Sequence, residues 1–239
     1  MLRTIMLLPL NLLHLSLFLL MLSKQTGADV DKSEDNSSAS SVQCPPASFK
    51  RFKELNLSAW TEHEWYVQQQ QKVRFQDDYF CVRAEYKPTE VPSSFEMLFS
   101  ATPDLSGFRN GEERFFPLMT TIDDMEDPSK QSLGFVEEQV RTIMPDYKGP
   151  IGELWVLYAG PTQDNYSYGI VSGGPPKRSG ENGCIAGDEE EIYGSGLWLY
   201  TKDPIPEEGT IEMLREKAKE LGFDLGVLKN VPQEGCTYT

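Results

Sequence analysis

The sequence predicts an all-β protein with one flanking α-helix, built as an eight-stranded antiparallel up-and-down β-barrel. Between residues 64 and 202, short apolar runs are repeatedly bounded by Pro, Gly and Asp. No helical pattern between these runs is convincing enough to form a crossover between parallel strands. One amphipathic segment follows the last run and predicts a helix on the outside of the barrel.

The eight predicted strands lie close together along the chain, which favours an antiparallel meander. Pro103, Pro117 and Pro128 stand in or beside the middle strands, where a proline breaks or shifts a strand. The predicted strands are residues 64–72, 79–87, 94–101, 113–121, 131–140, 151–160, 165–173 and 196–202.

The segment 207–221 has the pattern of an amphipathic helix. Two glutamates stand at its start and Gly222 follows it, and both features favour a helix in these positions. We expect this helix to cover the barrel wall. Its apolar residues at helical spacing are Ile211, Leu214, Ala218 and Leu221.

The N-terminus predicts a secretory signal over residues 1–28, with one early basic residue, an apolar run, and small residues at 26–28. The alternative is a signal anchor, because the apolar run is about long enough to span a bilayer. Residues 29–43 are polar and predict a disordered leader. The remaining residues, 44–239, form one domain. Removal of residues 1–28 changes the formal net charge from −15 to −17, which disfavours nucleic acid and anionic lipid surfaces as partners.

Four cysteines follow the predicted signal, and an even number with wide spacing indicates two disulfide bonds. A metal site is disfavoured because the chain lacks a Cys-x-x-Cys motif and His63 is the only histidine after residue 28. Three Asn-x-Ser sequences, at Asn36, Asn56 and Asn165, are candidate glycosylation sites and agree with a secretory address.

Three short motifs, in this order along the chain, resemble the signatures of the lipocalin family. Residues 55–67 are similar to the first signature, a capped turn before a strand that opens with Trp65-Tyr66, although His63 stands where the family has Gly. The second signature is approximated by Asp164-Asn165-Tyr166. The third is similar to residues 197–202, with Lys202 where the family prefers Arg.

Within that family the chain looks closest to the apolipoprotein D and bacterial lipocalin branch, and to plant and algal lipocalins related to violaxanthin de-epoxidase. The resemblance implies disulfide bonds Cys44–Cys184 and Cys81–Cys236. It also implies that the base ending the last strand, here Lys202, lies over the ring of Trp65. It further implies a small hydrophobic ligand inside the barrel.

An eight-stranded barrel has an interior just wide enough for side chains or one small ligand. Strand periodicity places Trp198 with Tyr200 on one face, and Trp155 with Leu157 on one face. If both faces point inward, the cavity suits a lipid, sterol, bilin or carotenoid. The alternative is that these side chains fill the interior. Alternation also sends two of the four glutamines at 68–71 inward.

The sequence predicts a binding protein without a cofactor, since no phosphate-binding loop, metal constellation or nucleophilic triad is evident. One enzymatic alternative is a violaxanthin de-epoxidase-like activity, with Asp77 and Asp78 as candidate acids. A third reading is a structural subunit of an assembly with an unknown protein partner. The expected location is extracellular or in the secretory pathway, and the alternative is a plastid or the thylakoid lumen.

Overall fold

A computed structural model of the chain describes residues 43–73, 79–103, 113–136, 152–187 and 195–238. All of these belong to one compact unit, Ser40–Thr239. The predicted signal peptide, 1–28, lies outside the described residues, and so does the predicted leader, 29–43, apart from Gln43.

The predicted fold is confirmed as a closed antiparallel barrel with a flanking helix. Each barrel strand pairs with the next one along the chain, and the last strand pairs with the first, which closes the sheet. The barrel strands are β1 (Trp65–Gln71), β2 (Tyr79–Pro88), β3 (Ser94–Pro103), β4 (Arg114–Ile122), β5 (Lys130–Phe135), β6 (Gly152–Thr162), β7 (Asn165–Ser172) and β10 (Leu197–Thr201).

Short elements surround the barrel. A one-turn helix, α1 (Leu57–Thr61), precedes β1, and a small hairpin, β8 (Arg178–Ser179) with β9 (Cys184–Ile185), lies between β7 and β10. The helix α2 (Thr210–Glu220) falls within the predicted segment 207–221. A 3₁₀ turn, Leu225–Val227, then leads to β11 (Leu228–Asn230), which pairs with the second half of β1.

The prolines end strands or are tolerated within them. Pro103 is the last residue of β3, and Pro128 stands in the turn before β5. Pro117 lies inside β4, where pairing with β5 begins only at the next residue, Leu118. On the other side of β4, Pro117 stands opposite Leu98 of β3. The predicted strand 131–140 is shorter in the structure, since β5 ends at Phe135 and residues 137–140 lie outside the described ranges.

One hydrophobic cluster lines the inside of the barrel. Its members face one another across neighbouring strands: Trp65 pairs with Ala84, Ala84 with Phe99, and Phe99 with Phe116. Because every barrel strand contributes to this cluster, it faces the enclosed space. Representative members from the eight strands in order are Trp65, Ala84, Phe99, Leu118, Leu133, Val156, Val171 and Trp198.

A second cluster lies outside the barrel wall, under α2. Leu214 and Ala218, which lie one turn apart on the helix, are completely buried there. They pack with outward side chains of β7 and β10 that include Ile170, Leu197 and Leu199. This apolar stripe is the one that the sequence pattern predicts, and it holds the helix on the wall.

The C-terminal tail completes the sheet where β1 and β2 separate, since these strands pair only at Trp65–Ala84 and Tyr66–Arg83. Beyond that point the buried side chain of Gln233 bridges them. Its Nε2 donates to the carbonyl oxygens of Val67 (2.6 Å) and Val82 (3.0 Å). The tail thus replaces ladder hydrogen bonds that the two strands do not make with each other.

Two disulfide bonds, Cys44–Cys184 and Cys81–Cys236, have the pairing that the family resemblance implies. The first attaches the N-terminal segment to β9, and the second attaches the tail to β2. They span 140 and 155 residues. Cross-links over loops of this length stabilise a fold by about 3–5 kcal/mol each in the chain-entropy account.

The closed end of the barrel has a floor of stacked aromatic rings. The side chain of Trp60, from α1, is completely buried and stacks on Trp65 with ring centroids 4.2 Å apart. The indole N–H of Trp65 donates to the carbonyl oxygen of Trp60 (2.8 Å). Tyr200 stacks beyond Trp65 at 6.3 Å. Gly169 on β7 lies against the Trp60 ring, where a Cβ atom would come within 2.8 Å of two ring carbons.

We expect Gly169→Ala to destabilise the protein by about 1–3 kcal/mol, because a buried, stacked indole has little room to move. Urea denaturation measures the difference in the free energy of unfolding. Gly134→Ala is the matched control: it is also a strand glycine, but the nearest atom to its Cβ position is 3.9 Å away. Equal destabilisation by the two changes would contradict the proposed contact.

Asp224 ties the β8–β9 hairpin to the region after α2. Its buried carboxylate accepts hydrogen bonds from the backbone N–H groups of Asn182 (3.0 Å) and Gly226 (2.8 Å). Burial raises the pKa of Asp224, but the N–H groups of Asn182, Gly226 and Glu181 lower it by more, so the pKa lies below its ordinary value of 3.8. The ionised form therefore stabilises the fold.

We expect Asp224→Asn to lower the free energy of unfolding by about 1–3 kcal/mol at pH 7, since charged hydrogen-bond acceptors are the stronger ones. A carboxylate with a depressed pKa contributes stability above its unfolded pKa and loses it as the pH falls through the folded pKa. The difference between the two proteins should therefore shrink below about pH 4. A difference that stays constant from pH 7 to pH 2 would rule out the carboxylate as its source.

Candidate functional site

The half of the barrel away from the aromatic floor has an apolar inner face that is incompletely filled. Tyr79, Phe116, Leu133 and Phe135 all pack against the inner cluster, yet each remains partly exposed. Tyr79 and Phe116 lie with their ring centroids 6.3 Å apart. An apolar side chain on the inner face stays accessible where space is left inside the barrel or at its open rim, so this half is the candidate binding site.

The structure places Trp198 and Tyr200 on the inner face of β10. Trp198 pairs with Val171 on one side and Gln70 on the other, and its ring lies against Gly196, which precedes β10. The indole is therefore directed toward the open end. Tyr200 is part of the aromatic floor and is almost completely buried. Trp198 therefore faces the candidate site, and Tyr200 belongs to the floor beneath that site.

Trp155 and Leu157 lie on the outer face of β6, which corrects the expectation that they share a cavity with Trp198 and Tyr200. Leu154 and Val156 point inward instead. Both faces of β6 are apolar because the outer face is also covered by other parts of the chain. Trp155 lies near two cations, with the Arg51 guanidinium carbon 5.9 Å and the Lys130 Nζ 5.1 Å from its ring centroid.

The glutamine run at 68–71 sends one side chain inward, and not two. An irregularity between Val67 and Gln69 shifts the register of β1 against β10, so that Gln70 shares the face of Trp198. The other three glutamines bond elsewhere. Gln68 donates to Thr201 Oγ1 (2.8 Å), Gln69 to Asn230 (2.7 Å), and Gln71 to the carbonyl oxygen of Gly187 (3.2 Å).

Polar groups stand on the inner face near the floor. Tyr86, on β2, is buried, and burial raises its pKa to about 12, while the indole N–H of Trp60 lowers it by less. The two groups are neighbours, but neither has a hydrogen-bond partner. Burial, followed by the effect of Tyr86, also raises the pKa of Tyr200. These hydroxyls stay neutral at physiological pH.

Gln131 and Thr120 are the other polar groups on this part of the inner face. Gln131 pairs across strands with Ile122 and Leu154, which are both buried. Its Oε1 atom is buried and has no hydrogen-bond partner. Thr120 differs, because its hydroxyl donates to the carbonyl oxygen of Phe95 (3.3 Å).

The buried cation Arg83 belongs to the outer face of β2. Its neighbour across the ladder is Ser100, and its Nε donates to the Ser100 hydroxyl (3.0 Å). The guanidinium also pairs with the carboxylates of Glu64 and Glu113, each at 3.3 Å. This charge is therefore balanced outside the barrel and does not reach the candidate site.

Lys202 does not lie over Trp65 as the family resemblance implies. Its ammonium nitrogen is 3.3 Å from Nε2 of His63, and among the described residues no cation lies over the Trp65 ring. The stacked indole of Trp60 covers Trp65 instead. His63, which stands where the family usually has glycine, is the neighbour of the lysine instead.

Other candidate residues fall outside the described ranges or on the surface. Asp77, Asp78 and Asn36 are not among the described residues. Asn165 is exposed at the start of β7, whereas Asn56 is half-buried and caps α1 by accepting from the backbone N–H of Ala59 (3.3 Å). The described part of the chain contains no helix long and apolar enough to span a bilayer, and no cluster of three potential metal ligands.

Sequence reasoning missed Trp60, Tyr86 and Gln131 as parts of the interior. Tyr86 and Gln131 could have been found from alternation, since they stand two residues from the inward Ala84 and Leu133. Trp60 precedes the first strand, where no strand periodicity applies. Its position on the floor depends on how α1 folds under the barrel.

No family model and no curated protein sequence matches the chain, but solved structures do. Insecticyanin from the tobacco hornworm Manduca sexta aligns with a TM-score of 0.53 and 16% identity, over 79% of this chain and 85% of that one. Apocrustacyanin C2 aligns with a TM-score of 0.50 and 12% identity, over 75% of this chain and 81% of that one. Such low identities establish a shared fold and leave the function open. The chain has the lipocalin, or calycin, fold.

Proposed function

We propose that this protein is a lipocalin that binds a small hydrophobic ligand inside its barrel. The observation that carries the proposal is the inner face of the open half, where Tyr79, Phe116, Leu133 and Phe135 remain partly exposed although they point inward. Binding sites for small molecules are concave and largely apolar, with few polar groups that orient the ligand. This interior has that composition.

The chemistry of the interior favours an apolar, flat or elongated ligand such as a lipid, sterol, bilin or carotenoid. Trp198 and Phe116 provide aromatic surface, and rings of this kind bury large apolar areas. The aromatic floor formed by Trp60, Trp65 and Tyr200 limits the depth that a ligand can reach. The proposed ligand therefore occupies the half of the barrel above these rings.

We also propose that the protein acts outside the cell or within the secretory pathway. Two disulfide bonds join distant parts of the chain, and such bonds persist in oxidising compartments. The signal-like sequence at 1–28 and the exposed sequon at Asn165 agree with this location. Membership of the apolipoprotein D and bacterial lipocalin branch remains a prediction from the sequence motifs.

Ligand binding should quench tryptophan fluorescence mainly through Trp198, because this indole faces the candidate site. Titration with a panel of fatty acids, sterols, retinoids, bilins and carotenoids measures the effect at micromolar concentration. Trp198→Phe should remove most of the quenching. Trp155→Phe is the control, since Trp155 lies on the outer face of β6, and it should leave the quenching intact. No binding by any member of the panel would overturn the proposed function.

The adjacent residues Phe115 and Phe116 separate the two faces of β4. Phe116 packs against the inner cluster, whereas Phe115 points outward and is 50% exposed. Phe116→Ala should weaken ligand binding by about 1.5 kcal/mol, or about tenfold in Kd, through the loss of buried aromatic area. Phe115→Ala should leave Kd unchanged. Equal effects of the two variants would place the ligand outside the barrel.

A further inference from the structure

The C-terminal tail, residues 231–238, fills a gap in the barrel wall between β1 and β2. The two strands pair with each other at only two positions, at the start of β1. In the gap that follows, the backbone N–H of Val231 donates to the carbonyl oxygen of Gln68 (2.9 Å). The backbone N–H of Cys81 donates to the carbonyl oxygen of Pro232 (2.9 Å). The tail is therefore bonded to β1 on one side and to β2 on the other.

The gap lies beside the candidate site in the open half of the barrel. Val67 and Val82 stand on its two sides, and both belong to the cluster that lines the interior. Val231 of the tail is buried in the same cluster. Tyr79, one of the partly exposed residues of the candidate site, begins β2 two residues before Cys81. The tail therefore supplies part of the wall of the site, and its removal would connect the site with solvent.

Gln233 and Tyr238 hold the tail in this gap through non-covalent contacts. Both hydrogens of the Gln233 amide are used, since its Nε2 donates to a carbonyl oxygen of β1 (2.6 Å) and to one of β2 (3.0 Å). The Tyr238 hydroxyl donates to Oε1 of Gln233 (2.6 Å), which fixes the orientation of the amide. The Tyr238 ring packs on Tyr66, with ring centroids 4.8 Å apart, and on the Arg83 guanidinium at 5.4 Å. Contacts of this kind near a chain end break and re-form while the rest of a fold stays intact.

The disulfide bond Cys81–Cys236 adds a covalent attachment at the edge of the gap. While the bond is intact, the end of the tail stays on β2. Cys236 is only half-buried, so a dithiol in solution can reach the bond. Once the bond is reduced, the contacts of Gln233 and Tyr238 are left to keep the tail in place.

We infer that the tail closes a side entrance to the candidate site, between β1 and β2, and that the bond Cys81–Cys236 keeps this entrance closed. The inference rests on the proposed function and adds a route for the ligand and its control by reduction. A dithiol gives two electrons and two protons to the bond and becomes a disulfide, while Cys81 and Cys236 become thiols. The freed tail then leaves the gap, and the ligand passes through the wall beside Tyr79.

Two double variants of the full chain test the inference. The first, Cys81→Ser with Cys236→Ser, removes the bond that holds the tail. The second, Cys44→Ser with Cys184→Ser, is the matched control, because its bond attaches the N-terminal segment to β9 and not to the gap. The two bonds span 155 and 140 residues, so their removal should lower the stability of the fold by similar amounts.

Stopped-flow tryptophan fluorescence measures the rates of binding and release of all-trans-retinol, or of the panel member that binds most tightly. An entrance that is open more of the time accelerates entry and exit alike. Both rate constants should therefore rise about tenfold in the Cys81/Cys236 variant while Kd stays unchanged, and the control variant should keep the original rates. Dithiothreitol should accelerate release from the control variant, which retains Cys81–Cys236, and should not accelerate release from the Cys81/Cys236 variant.

Hydrogen exchange provides a measurement that needs no ligand. The backbone N–H of Val231 should exchange faster in the Cys81/Cys236 variant than in the control variant, because the tail leaves the gap more often. Circular dichroism establishes whether both variants are folded. Loss of the fold in the Cys81/Cys236 variant alone would overturn the inference, since the tail would then be an essential part of the wall and not a closure.

The outcomes separate this inference from the proposed function. Unchanged rates in the Cys81/Cys236 variant would overturn the inference and leave ligand binding in place. Faster release with a raised Kd would also overturn it, because the site itself would then be damaged. Equal acceleration in the two variants would assign the effect to lost stability and overturn it as well. If no member of the panel binds the unchanged protein, the proposed function falls, and the inference falls with it.

Discussion

The structure depends on the closure of its sheet through β1. This strand has only seven residues, and it pairs with β10 along one edge, which converts an open meander into a barrel. Its other edge is shared among β2, β11 and the C-terminal tail. An open edge would expose unpaired backbone groups, and a barrel removes edges altogether. The enclosed interior exists because all of these partners meet on one short strand.

Both ends of the domain are attached to the rest of the fold by disulfide bonds. The bond Cys81–Cys236 attaches the tail to β2, close to where Gln233 bridges β1 and β2. The bond Cys44–Cys184 attaches the N-terminal segment of the domain to β9. Each cross-link spans most of the domain, so the barrel wall is held by covalent bonds as well as by its ladder.

The interior has two parts, the aromatic floor at the closed end and the open half of the barrel above it. Trp60, Trp65 and Tyr200 stack at the closed end and are completely or almost completely buried, so they hold the shape of the floor. Above them, inward aromatic side chains remain partly exposed. The polar atoms of Tyr86 and Gln131 lie near the floor, in surroundings where charge is disfavoured. The packed rings of the floor and the uncharged polar groups of Tyr86 and Gln131 together favour ligands that are apolar along their length.

Sequence patterns identified the strands well because strand boundaries depend on local features. Turn residues and apolar runs placed all eight barrel strands within a few residues of their positions, and the spacing of Leu214 and Ala218 identified the helix. The same patterns misplaced Trp155, because both faces of β6 are apolar and alternation does not say which one is inner. They also overcounted the inward glutamines, since an irregularity after Val67 changes the alternation in β1.

By itself, the sequence determined the fold class, the strand order and the helix, because periodicity and turn chemistry act between residues that are close along the chain. The tertiary structure alone decided which faces point inward, where Trp60 lies, and that Lys202 meets His63 and not the ring of Trp65. These outcomes depend on contacts between residues far apart in the chain. Their geometry is settled only when the barrel closes and each side chain competes for the same enclosed space.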